Sequence, residues 1–134
     1  MAAFACALGV CAAPDAAWAT QLSVVVNGLE LKGRVRIAVV DAAGWEGKSP
    51  SLASVEARVT KAGMRFVLEV PEGTAAIRLH HDENGNGELD RNLLGIPSEG
   101  YGFSNNPKSM GPPSFKDAAF LVQGETQTSV IEVR

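Results

Sequence analysis

The chain has 134 residues, of which 46% are hydrophobic and 20% are charged, and this length and composition fit a single globular domain. Its formal net charge is −3, and its Lys and Arg residues are scattered along the chain. No basic stripe is therefore available to neutralise phosphates, so we expect neither nucleic acid nor an anionic membrane surface as a partner.

The N-terminal segment, residues 1–19, has the pattern of an export signal. It is almost wholly small and apolar, and it ends in Ala17-Trp18-Ala19, an A-x-A cleavage pattern. Pro14 and Asp15 interrupt the apolar run, which is too short for a membrane-spanning helix of about 20 residues. We predict cleavage at the end of this motif and a periplasmic or secreted domain of residues 20–134, without a transmembrane segment.

Both cysteines, Cys6 and Cys11, lie within the predicted signal. The mature chain would then contain no thiol, which excludes a disulfide and thiolate catalysis. The alternative is a lipoprotein signal in which Cys11 is acylated, although Val10 is bulkier than the residue expected before the modified cysteine.

After the signal, apolar residues alternate with polar residues, which is typical of half-buried strands. Two of the runs flank a short glycine-containing turn, Lys61-Ala62-Gly63, and this arrangement predicts a hairpin. No stretch shows a convincing helical period. The sequence therefore predicts an all-β fold, an antiparallel sandwich of about seven strands with little helix. The predicted strands lie in residues 22–26, 35–39, 55–59, 64–70, 74–81, 119–122 and 129–133.

A long passage from Asp82 to Ala118 breaks the alternation. It contains four of the seven prolines together with Tyr101, Phe103 and Phe115. Loops longer than about 15 residues are uncommon in compact domains unless they are functional or disordered, and the aromatic residues argue against disorder. We expect an ordered loop that packs over one end of the sandwich.

The beginning of this passage has the spacing of a calcium-binding loop, with short oxygen-bearing side chains at every second position and a glycine at the bend. We therefore predict a calcium site at this loop, and calcium is the expected cofactor. The predicted ligands are Asp82, Asn84 and Asn86 at positions one, three and five, the carbonyl of Glu88 at position seven and Asp90 at position nine, with Gly87 at position six.

Calcium affinity at this loop should be weak. Position twelve, where an EF-hand has a bidentate Glu, is Leu93, and no flanking helices are predicted. We expect a dissociation constant of roughly 0.1 to 1 mM, the range of extracellular calcium modules. Glu83, Glu88 and Glu99 remain open as the source of a further ligand. The alternative is an Asx-rich turn that binds no ion.

The two histidines, His80 and His81, end a predicted strand, so their side chains point to opposite faces and do not ligate one metal together. His81 has the apolar register of the strand. The open interpretations are a ligand-binding residue, a buried histidine hydrogen-bonded to a loop carboxylate or carbonyl, and a general base acting with Asp82 or Asp90. We assign no catalytic residue.

Three aromatic residues are predicted to bind a ligand together with His81. Tyr101 and Phe103 alternate with glycines and would form a platform for a sugar ring or a peptide; the alternative is that they clamp the long loop onto the domain. Trp45 lies between the second and third predicted strands, and its alternative role is that of a lid over one end of the sandwich.

Three motifs, HDENGNGELD, LLGIPSEGYGFSNN and GPPSFKDAAF, follow a turn at Pro71–Thr74 in this order. This combination resembles the bacterial family called domain of unknown function 2141, over residues 21–134. The resemblance implies an exported single-domain protein with an immunoglobulin-like or transthyretin-like sandwich. It implies no particular activity.

We therefore expect an exported, non-enzymatic module that is stabilised by calcium and binds a ligand or an envelope protein through its long loop. The first alternative is a hydrolase or small-molecule enzyme that uses His81 with Asp82 or Asp90. The second is a purely structural envelope protein.

Overall fold

The computed structural model describes residues 19–83, 99–108 and 113–134, which form two β-sheets and two four-residue helices. The predicted all-β class with little helix is confirmed at this level. None of the helices in these ranges is long and apolar enough to cross a membrane. The strands are β1 (Ala19–Asn27), β2 (Arg34–Val40), β3 (Ala53–Arg58), β4 (Met64–Pro71), β5 (Gly73–Asp82), β6 (Tyr101–Phe103), β7 (Phe120–Val122) and β8 (Thr126–Glu132), and the helices are α1 (Ala42–Trp45) and α2 (Phe115–Ala118).

The smaller sheet has the strand order β4-β1-β8, and the larger sheet has the order β3-β2-β5-β6, with β7 also paired to β5. All the ladders are antiparallel except that between β1 and β8, which is parallel. The prediction of an antiparallel sandwich is thus wrong for this pair. Alternation of apolar residues identifies a strand and its buried face but carries no information on the direction of its neighbour.

The predicted hairpin of the third and fourth strands is also wrong. β3 pairs with β2, where Val55 lies opposite Ile37, and β4 pairs with β1, where Leu68 lies opposite Leu22. The turn at residues 61–63 therefore carries the chain from the larger sheet to the smaller one. Both strands present apolar residues to the interior, so their pattern suits either partner.

One hydrophobic core contains residues of both sheets. On β5, the alternate residues Ala75, Ile77 and Leu79 are buried in this core, as expected for a strand with one apolar face. The alternate residues Arg78 and His80 belong to the opposite side of β5, which we call the outer face of the larger sheet. The immunoglobulin-like or transthyretin-like type of the fold stays a prediction.

Strand β6 lies within the passage that was predicted as one long loop. It is joined to the end of the chain by hydrogen bonds between the backbones of Tyr101 and Arg134, at 2.8 and 3.3 Å. A Cβ atom at Gly102 would come within 2.6 Å of Cγ2 of Ile131. Glycine is therefore required for β6 to approach β8 this closely.

Replacing Val39 with Ala should lower the free energy of unfolding by about 2 kcal/mol, because its side chain is fully buried and the substitution leaves a cavity. Val67→Ala is the matched control, since Val67 also lies in a strand but is 56% exposed. We expect the control to cost less than about 1 kcal/mol. Urea denaturation of both variants measures the difference, and equal losses would contradict the assigned core.

Candidate functional site

Side chains from three adjacent strands, β2, β5 and β6, lie on the outer face of the larger sheet. His80 on β5 lies opposite Arg36 on β2 and opposite Tyr101 on β6, and Arg78 lies opposite Phe103. Residues that oppose each other in an antiparallel ladder project to the same side of the sheet. Two groups of side chains meet here, an aromatic cluster and a carboxylate–histidine cluster.

The aromatic cluster consists of Trp45, Tyr101, Phe103 and Phe115, all of them half-buried. The ring centroids of Trp45 and Phe103 are 5.8 Å apart, those of Trp45 and Phe115 are 5.9 Å apart, and those of Tyr101 and Phe103 are 6.0 Å apart. The planes are inclined by 49 to 71°, the tilted or edge-on packing that aromatic pairs favour. This packing attaches α1 and α2 to the sheet and brings together three of the predicted ligand-binding residues.

Arg78 completes the aromatic cluster. Its guanidinium carbon lies 4.3 Å from the centroid of the Trp45 ring, a cation–π contact, and its Nη2 donates to the carbonyl of Trp45. Burial lowers the pKa of Arg78. Within residues 19–83, 99–108 and 113–134, no ion pair involves Arg78. The sequence analysis missed this residue, although it has the polar register of β5.

Ser104 holds the aromatic segments in place. Its buried hydroxyl accepts a hydrogen bond from the N–H of Ile77 at 2.9 Å and donates to the carbonyl of Ala118 at 2.5 Å. The segment after Phe103 and the end of α2 are thus joined to β5 through one side chain. The sequence analysis did not identify this structural role of Ser104.

His81 lies on the core side of β5 and is 1% exposed. Its Nε2 is 2.7 Å from the carbonyl oxygen of Lys32, so we assign the proton to Nε2 and a donated hydrogen bond. This is the place expected for a buried histidine bonded to a carbonyl. A ligand-binding role for His81 stays a prediction, and His80 is the histidine that lies on the outer face.

The carboxylate–histidine cluster consists of His80, Asp82 and Glu99. Nε2 of His80 is 3.2 Å from Oε1 of Glu99, and one donor atom of each of the three residues lies within 4.8 Å of the other two. Asp82 is 1% exposed and Glu99 is 7% exposed. Of the carboxylates that the sequence left open as further ligands, Glu99 lies beside the first position of the predicted calcium loop. The other predicted calcium ligands, Asn84, Asn86, Glu88 and Asp90, lie outside the described residues.

Residues on the two sides of the segment 84–98 are hydrogen-bonded to each other. The N–H of Glu83 donates to Oε2 of Glu99 at 2.8 Å, and the N–H of Gly100 donates to Oε2 of Glu83 at 3.0 Å. Nζ of Lys32 lies 3.1 Å from Oε1 of Glu83, and this contact raises the pKa of Lys32. Two hydrogen bonds therefore join Glu83 to Glu99 and Gly100.

An ion-pair network borders the cluster on the β2 and β3 side. Nε of Arg36 is 2.8 Å from Oε2 of Glu56, and Nε of Arg34 is 3.4 Å from the same oxygen. The hydrogen bond from Arg36 is the main cause that lowers the pKa of Glu56. The pKa of Arg36 is raised chiefly by Glu56 and in smaller measure by the charge of Asp82. Asp82 thus adjoins a cationic side chain as well as His80 and Glu99.

Comparison with models of protein families shows the family of the chain. The family model described as "Uncharacterized protein conserved in bacteria (DUF2141)" matches residues 24–130, so the chain belongs to this family. No curated protein and no solved structure matches the chain. The resemblance predicted from the three motifs is confirmed.

The stability that Glu56 contributes should depend on pH. Because the pKa of this carboxyl group is lowered in the folded state, its contribution is present above the unfolded value near 4.5 and is lost as the pH falls through the folded value. We therefore expect Glu56→Gln to destabilise the protein at pH 7 and to have a smaller effect near pH 3. Urea denaturation at several pH values tests this. In the Arg36→Gln background the effect of Glu56→Gln should shrink, and a pH-independent effect would contradict the assignment.

Proposed function

We propose that this member of the family is an exported, non-enzymatic module that binds a ligand or an envelope partner on the outer face of its larger sheet. The observation that carries the proposal is the packing of Phe103 against both Trp45 and Tyr101, with the guanidinium of Arg78 over the Trp45 ring. These residues come from three elements, α1, β5 and β6, and they are half-buried rather than enclosed in the core. They therefore offer a preformed apolar and cationic surface.

Export and fold type belong to the same proposal. The apolar segment that ends in Ala17-Trp18-Ala19 supports passage to the periplasm or the outside of the cell. The core shared by the two sheets supports a sandwich of the immunoglobulin-like or transthyretin-like type.

Binding is favoured over catalysis by the position of His81. The enzymatic alternative requires this histidine as a base at a surface accessible to substrate. Its ring is buried on the core side of β5, and its Nε2 is engaged by the carbonyl of Lys32. We therefore do not propose that His81 acts in a reaction with Asp82 or Asp90.

The chemistry of the outer face indicates a ligand that combines a ring with an anionic group. Arg78 is a partly desolvated cation with planar N–H donors, which suit a carboxylate. The aromatic rings beside it suit a sugar ring or another flat apolar group. A sugar acid satisfies both requirements.

We propose further that calcium binds weakly at the loop that begins with Asp82 and holds this loop against the domain. The closed pair of hydrogen bonds between Glu83 and residues 99–100 supports a compact loop base. Calcium would act on loop stability and not as a sensor signal, since the passage lacks the EF-hand's terminal Glu at Leu93.

The ligand proposal is tested with N-acetylmuramic acid, a sugar that carries a carboxylate, and with neutral N-acetylglucosamine as the matched ligand. In a titration followed by NMR, the acidic sugar should shift the indole N–H resonance of Trp45 saturably. We expect the neutral sugar to bind at least tenfold more weakly, because a hydrogen bond to a charged group contributes about 1.5 to 3 kcal/mol.

Arg78→Gln should weaken binding of the acidic sugar about tenfold. Arg65→Gln is the matched control, because Arg65 is exposed on β4 of the smaller sheet and should not alter binding. Equal binding of the two sugars, or equal loss in the two variants, would contradict the assignment of the anion to Arg78. No shift with either sugar at millimolar concentration would contradict a carbohydrate ligand.

The calcium proposal predicts that 10 mM calcium stabilises the protein by about 1.4 to 2.7 kcal/mol if the dissociation constant is roughly 0.1 to 1 mM. Asp90→Asn should remove most of this gain, whereas Glu69→Gln, an exposed change on β4, should retain it. Thermal unfolding and calorimetric titration measure both effects. If millimolar calcium produces no heat of binding and no rise in melting temperature, the calcium proposal is wrong.

A further inference from the structure

We propose that His80, Asp82 and Glu99 form a binding site for a divalent transition-metal ion of the zinc type. This site uses none of residues 84–98. It shares Asp82 with the proposed calcium loop and differs from that loop in its ligands His80 and Glu99. Its distinguishing feature is an imidazole nitrogen among carboxylate oxygens. Imidazole suits zinc, copper, iron and nickel, whereas calcium prefers oxygen alone.

The spacing of the donor atoms agrees with one metal ion. Bond lengths of about 2.0 to 2.2 Å place two ligand atoms of a tetrahedral zinc ion about 3.3 to 3.5 Å apart. Nε2 of His80 and Oε1 of Glu99 are separated by 3.2 Å, and the donor atoms of all three residues lie within 4.8 Å of one another.

The carboxylate of Glu99 is already oriented for this role. Its Oε2 accepts the hydrogen bond from the N–H of Glu83, which leaves Oε1 turned towards His80. Oε2 of Glu83 in turn accepts a hydrogen bond from the N–H of Gly100, so the backbone next to Glu99 is held in place as well. Hydrogen bonds of this kind fix metal ligands and strengthen metal binding.

Two of the three proposed ligands, His80 and Asp82, are held in place by the sheet. His80 and Asp82 are alternate residues of β5, so their side chains leave the strand on the same face. β5 is paired to β2 throughout this region, with His80 opposite Arg36 and Asp82 opposite Arg34. Ligands held by regular strands are positioned more precisely than ligands on loops.

The neighbouring arginines compete with the metal only in part. Both Arg34 and Arg36 contact Oε2 of Glu56 on β3, and Arg36 also attracts Asp82. A divalent ion would replace part of that attraction with a direct bond to Asp82. Two nearly buried carboxylates provide the negative charge that such an ion requires.

Three protein ligands leave at least one coordination position for water or for an oxygen atom of a bound molecule, as in zinc sites that are not purely structural. Tyr101 lies opposite His80 in the β5–β6 ladder, so the three ligand residues adjoin the aromatic cluster. The metal and the aromatic residues therefore belong to one continuous face.

Zinc titration of the full chain tests the site, with Cys6→Ser and Cys11→Ser in every variant so that no thiol competes for the metal. We expect one zinc ion per chain and a higher melting temperature. His80→Gln and Glu99→Gln should each weaken zinc binding at least tenfold, and His80→Gln should leave calcium binding unchanged. Glu69→Gln is the control for the loss of one carboxylate. Circular dichroism confirms that each variant is folded.

A measurement on the chain with only the cysteine changes keeps the proposal testable if a ligand variant fails to fold. Manganese, which is paramagnetic, should broaden the amide resonances of His80, Asp82 and Glu99 before those of the smaller sheet, and zinc should reverse this broadening. No zinc binding at millimolar concentration, equal zinc affinity in His80→Gln, or broadening centred elsewhere would overturn the proposal.

Discussion

The alternation of β5 is the constraint on which the rest of the structure depends. This strand pairs with β2, β6 and β7 and gives every second residue to the shared core. A shift of its register by one residue would exchange the two faces, placing Arg78 and His80 in the core and Ile77 and His81 outside. The hydrophobic residues of β5 therefore contribute to stability and also determine which polar side chains lie on the outer face.

Most strands were predictable from the sequence, because burial of one face imposes a period of two on each of them. The partners of the strands were not. β3 and β4 present equivalent apolar faces, and the turn between them is compatible with a hairpin, yet each pairs with an earlier strand. The parallel pair of β1 and β8 joins residues far apart in the chain, which no local pattern records. β6 was missed because it is only three residues long and contains Gly102.

The sequence predicted individual residues of the candidate site but not which of them contact each other. Trp45, Tyr101 and Phe103 stand out as aromatics beside glycines, but their contact depends on the positions of α1 and β6. His81 was preferred to His80 although its apolar register directs it to the core, and the same register assigns His80 and Arg78 to the surface. That signal was present in the sequence. Nothing in the sequence indicated that Glu99 lies beside His80, because the two residues are 19 positions apart and come together through the hydrogen bond between Glu83 and Glu99.

The parallel pairing of the first and last long strands also bears on when the protein can fold. β1 is the middle strand of the smaller sheet, and one of its two neighbours, β8, ends at Glu132. A chain that is synthesised from its N-terminus cannot complete this sheet until residues 126–132 have been made. Contacts of such large sequence separation slow folding. One edge of β1 therefore stays unpaired until the last strand of its sheet has been made.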